Sequence, residues 1–86
     1  MAKRRLHPQA PRVVLKRLIR ESAFKQKDVA TAVGEREDTF SKILAGADSY
    51  NLESSLVVNV LNYIGVDFVD FALEVEKESA LLYDAG

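Results

Sequence analysis

The chain has 86 residues, 48% of them hydrophobic and 29% charged, the balance of one folded domain rather than of a disordered or fibrous chain. It contains no cysteine, which excludes disulfide scaffolds, Cys-type zinc sites and thiol nucleophiles. The formal net charge of −1 conceals a division: up to Gly34 nine basic residues stand against two acidic ones, and from Glu35 onward three stand against eleven. A separation this large points to one end that meets a polyanion while the other stays clear of it. The plainer reading is a basic arm and an acidic tail that only keep the chain soluble.

Residues 1–11 hold both prolines and show no helical period, so they read as a flexible basic arm. Pro11 suits the first turn of a helix that opens there. Leu15, Leu18 and Ile19 then share one face, with Lys16, Arg17 and Arg20 opposite, and this helix is expected to stop near Ser22 or Ala23. A short second helix is predicted from Gln26 to Val33, ended by Gly34 in the left-handed conformation that glycine adopts most cheaply. A third is predicted from Glu37 to Ala45 around Phe40, Ile43 and Leu44, closed by Gly46 and opened by two acids at the positive end of its dipole. The fourth, from Leu52 to Ile64, carries the cleanest apolar stripe and ends at Gly65. Asp67 can cap a fifth helix with Phe68, Phe71, Ala72 and Val75 on one face, and ALLYDAG either prolongs it or frays. No run alternates at period two. The expected fold class is all-α: five short helices, with 1–11 as arm, 12–80 as the domain and 81–86 as tail.

No apolar run is long enough to span a bilayer. The basic start lacks the apolar stretch of a secretory signal, so the expected compartment is the cytoplasm, near the nucleoid if the polyanion is DNA.

Two short helices joined by a glycine turn behind a basic segment follow the plan of a helix-turn-helix DNA reader. Such a unit needs a small residue where its helices approach, and Ala30 supplies it. It needs a residue able to adopt positive φ at the turn, and Gly34 is four positions on. The second helix must be anchored from beneath, which Phe40 and Ile43 can do. The runs Gln26-Lys27-Asp28-Val29-Ala30-Thr31-Ala32-Val33-Gly34 and Thr39-Phe40-Ser41-Lys42-Ile43, with Gly46, resemble the Xre or lambda-repressor-like family over about residues 13–72. The resemblance implies a compact five-helix domain that binds double-stranded DNA. It implies that Gln26 contacts phosphate or buttresses the recognition helix, with Lys27 beside it. By the same likeness Glu37, Asp38, Ser41 and Lys42 face base edges, with Arg36 just before and Thr39 near the backbone. Some members carry a basic arm that wraps the duplex, a part open to Lys3, Arg4 and Arg5. Glu37 and Asp38 depart from the pattern: carboxylates can accept from cytosine N4, yet they repel phosphate.

Enzymatic chemistry is not expected. His7, the only histidine, lies in the arm, so Ser41, Ser54 and Ser55 lack a partner for a hydrolase triad. The glycines are isolated, which removes any phosphate-cradling loop, and Glu74, Glu76 and Glu78 read as a solvated helix face. No metal or other cofactor is expected. Phe68, Phe71 and Val75 form an apolar stripe in a domain whose core the fourth helix already serves. Surplus apolar surface marks an interface, so these residues are assigned to a homodimer rather than to folding back on the fourth helix. The functional expectation is a transcriptional regulator of the phage-repressor or controller-protein type, binding an inverted repeat as a dimer. Two alternatives stand beside it: an antitoxin whose acidic tail covers a toxin, and a protein-interaction module that has lost DNA binding through Glu37 and Asp38. The possible protein partners are a toxin or RNA polymerase.

Overall fold

A computed structural model describes residues 6–47 and 51–85. Five helices follow one another, α1 (Ala10–Glu21), α2 (Gln26–Ala32), α3 (Glu37–Ala45), α4 (Ser54–Ile64) and α5 (Phe68–Ala85), and no strand occurs among the described residues. The all-helical expectation therefore holds. α3 spans the predicted residues at both ends, whereas α4 opens two residues later than predicted because Glu53 is extended, with ψ 148°. ALLYDA prolongs α5 through Ala85 rather than fraying.

Helix ends are marked more firmly than helix starts. None of α1–α4 has a side-chain hydrogen bond at its N-cap, where Gln9, Lys25, Arg36 and Glu53 stand instead of the usual short polar residues. At the end of α2, Gly34 takes φ 79°. The Glu35 N–H then donates to the Ala30 carbonyl at 2.8 Å and the Gly34 N–H to the Thr31 carbonyl at 3.1 Å. These two bonds satisfy carbonyls that the helix leaves open.

One apolar cluster joins all five helices: Val14, Leu15 and Ile19 of α1, Val29 and Ala30 of α2, Phe40, Ile43 and Leu44 of α3, Leu56, Val57, Val60 and Leu61 of α4, and Phe71 and Val75 of α5. Phe40, Leu15 and Leu61 are the largest side chains removed from solvent. Burying each is worth about 1.5–3 kcal/mol.

α5 packs chiefly along α1, running in the opposite direction. Arg17 donates to Glu74 at 2.8 Å and to Glu78 at 3.2 Å, and nearer the other end His7 meets Ser79 and Tyr83. This corrects two expectations. Phe71 and Val75 are 5% and 4% exposed within the single chain, so they are core residues held against α1 rather than free for a second copy. Glu74 and Glu78 are not a freely solvated face, because each pairs with Arg17; Glu76 alone of the three is exposed.

The arm is also shorter than expected. Ala10 lies in the first turn of α1 and is fully buried, with Pro11 beside it. The His7 backbone N–H donates to the buried Ser79 hydroxyl at 2.6 Å, and its ring meets Tyr83 edge-on at 5.0 Å. The physical reason is mutual: the buried Ser79 oxygen needs a partner, and residues 7–10 form a turn, closed from the Ala10 N–H to the His7 carbonyl at 3.0 Å, that delivers one. No single helix among the described residues is long and apolar enough to cross a membrane.

Candidate nucleic-acid interface

α2 and α3 pack on each other and are separated by Val33–Arg36, a link whose reversal depends on Gly34. Ala30 is fully buried, which lets the two backbones approach. Beneath α3, Phe40, Ile43 and Leu44 are all removed from solvent. With these three turned inward, the 100° step of a helix turns Glu37, Asp38, Ser41 and Lys42 outward together, and all four are exposed. Arg36, just ahead of the helix, is exposed too, and its Nε lies 3.5 Å from the Asp38 carboxylate. Thr39 is half-buried on α3, while Gln26, half-buried, and Lys27, exposed, open α2. Six of the expected contact residues, Arg36, Glu37, Asp38, Thr39, Ser41 and Lys42, therefore lie on α3 or its N-cap. Lys3, Arg4 and Arg5 lie outside the described residues.

The charge on this surface is mixed. α3 itself carries Glu37 and Asp38 against Lys42, a surplus of one negative charge that Arg36 at its N-cap offsets. Positive charge lies instead on α1 and around the start of α2, where Lys16, Arg20, Lys25 and Lys27 are exposed. Lys16 and Arg20, with Ile19, Phe24 and Gln26, line a concavity of about 240 Å³ between α1 and the start of α2. Neither cation was assigned a contact from the sequence, although their spacing of four puts them on one helix face, a signal already present in the sequence.

Arg12 ties α1 to the far end of α3. Its guanidinium lies against Gly46, which closes α3 with φ 78°, and it is hydrogen-bonded to the Gln9 side chain. A cation there faces the negative end of the α3 dipole.

Of the residues assigned to dimerisation, only Phe68 is free, 55% exposed; Val69 at 67% and Leu73 at 51% continue the uncovered apolar surface along α5. An apolar groove of about 280 Å³ runs beside it, lined by Leu6, Pro11, Phe68, Ala72 and Val75 among others. No group of three or more His, Cys, Asp or Glu side chains among the described residues is arranged to hold a metal ion. No protein-family model, curated protein or solved structure matches the chain.

Proposed function

We propose that the chain is a sequence-specific DNA-binding transcription regulator, built on a lambda-repressor-like helix-turn-helix and acting as a dimer on an inverted repeat. One observation carries this reading: α3 presents an unbroken polar face of Glu37, Asp38, Ser41 and Lys42 while Phe40, Ile43 and Leu44 lock its opposite side into the core. A helix packed against the core from behind, with polar side chains in front, has the shape that major-groove reading requires. Lys42 is suited to guanine and the two carboxylates to cytosine N4, while Lys27 is suited to phosphates. The uncovered Phe68, Val69 and Leu73 offer the surface for a second copy, which would set two recognition helices about one DNA turn, roughly 34 Å, apart.

A protein-interaction module is the second reading. It is favoured by the exposed Glu37 and Asp38 and by the pairing of Asp38 with Arg36, which removes a cation from the approaching surface. Electrophoretic mobility shift on the DNA upstream of the coding sequence separates the two. A regulator retards that fragment at concentrations that leave random DNA free. A protein module retards neither.

A further inference from the structure

The cations of α1 and the start of α2 divide by partner. Arg17 is engaged by Glu74 and Glu78, but among the described residues Lys16, Arg20, Lys25 and Lys27 have no ion-pair partner. Lys16 and Arg20 line the same concavity as Ile19, Phe24 and Gln26. No acid lines it, whereas the two concavities beside α5 are lined by Glu21, Asp70 and Glu74 or by Asp67 and Asp70.

Phe24 is unusual in its own right. It lies in the connection between α1 and α2, yet it is 40% exposed. The connection is pinned: the Ser22 hydroxyl donates to the Ile19 carbonyl at 2.6 Å and accepts the Phe24 N–H at 3.2 Å. The ring also rests against Tyr63 of α4 with centroids 4.7 Å apart, and Tyr63 is itself 39% exposed. A ring serving only to staple the connection to α4 would gain by deeper burial. Here a fixed aromatic pair stands open to solvent beside two unpaired cations and the Gln26 amide.

That combination matches one ligand chemistry. A flat π surface receives a base, neighbouring cations receive its phosphate, and an amide offers both a donor and an acceptor to the base edge. We propose that the concavity between α1 and the start of α2 binds one unpaired nucleotide of single-stranded nucleic acid, with the base on Phe24 and the phosphate between Lys16 and Arg20. Bases inside a duplex are stacked on each other and cannot reach the ring, so this site is separate from the α3 face and does not rest on the duplex reading.

The test is fluorescence anisotropy of the full chain with a short labelled oligothymidylate, which does not pair with itself, and with an abasic oligomer of equal length. The wild-type protein binds the thymidylate at least about fivefold more tightly than the abasic chain, the lower bound of one base–aromatic stack. Phe24→Leu keeps an apolar side chain, loses that preference and leaves the helical circular dichroism unchanged. Lys16→Gln with Arg20→Gln lowers the salt slope for both oligomers by about 0.7, the value for one phosphate on a single strand. The proposal is overturned if the thymidylate does not bind, if wild type binds both oligomers equally, or if Phe24→Leu retains the preference.

Discussion

Replacing Phe71 by alanine separates the two places this ring was expected to be. In the structure it is 5% exposed, faces α1 with Val75, and lies 6.0 Å from the tilted Phe68 ring. Burying a phenylalanine side chain is worth about 1.5–3 kcal/mol in transfer alone. Alanine also leaves a cavity, so a cost of about 3–5 kcal/mol is expected for Phe71→Ala. A domain of this size has a total stability of roughly 4–13 kcal/mol, so the variant is left with a fraction of its margin and Phe71→Glu does not fold. Phe68→Ala, at a half-exposed position, costs much less. The assay is urea unfolding followed by helical circular dichroism at two protein concentrations about twentyfold apart. The account predicts a large drop in midpoint for Phe71→Ala that is the same at both concentrations. An unchanged midpoint, or a loss that vanishes on dilution because only association was affected, would refute the placement of Phe71 inside the single chain.

Gly34→Ala and Gly46→Ala each cost about 1 kcal/mol from positive φ, since open space surrounds the first and the flexible end of Arg12 can yield at the second; thermal melts of the two variants measure this directly. Arg17→Ala removes two half-exposed ion pairs and is expected to cost about 0.5–2 kcal/mol at low salt, with the difference from wild type shrinking as salt is raised. Deleting residues 1–5 should leave the melting temperature in place and lower the salt slope of DNA binding by up to about 3 per subunit, while deleting residues 1–9 should also destabilise the fold by removing the His7 bond to Ser79. Lys42→Ala should cost about 1–3 kcal/mol on a cognate site and less on random DNA, and an equal loss on both would make Lys42 a phosphate contact.

What could be read along the chain was whatever depends on local spacing. α3 is legible because Phe40, Ile43 and Leu44 recur at helical intervals and Gly46 stops the pattern. The same local signals placed Ala30 on the buried face of α2 and Gly34 at positive φ in the link to α3. Which surface an apolar face meets is a different matter. Periodicity shows that Phe71 and Val75 lie on one side of α5, but their partner, α1, is more than fifty residues away in sequence and no local pattern names it. The Arg17 pairs with Glu74 and Glu78 were hidden for the same reason, as one cation among several on α1 and a run of glutamates on α5 each look solvated when taken alone. His7 was assigned to a free arm because its partner is a serine hydroxyl buried by tertiary packing, which composition cannot reveal. The outward residues of α3 needed only the helical period once the inward ones were known.

The claim that α3 reads bases is tested most directly by selecting binding sites from a pool of random duplexes with the full-length protein. The account predicts enrichment of an inverted repeat with half-site centres about one helical turn apart. It further predicts that Lys42→Ala and Ser41→Ala each relax the preference at particular base pairs within each half-site, leaving the spacing unchanged. Recovery of unenriched sequence, or of the same repeat with every base preference intact in both variants, would contradict it.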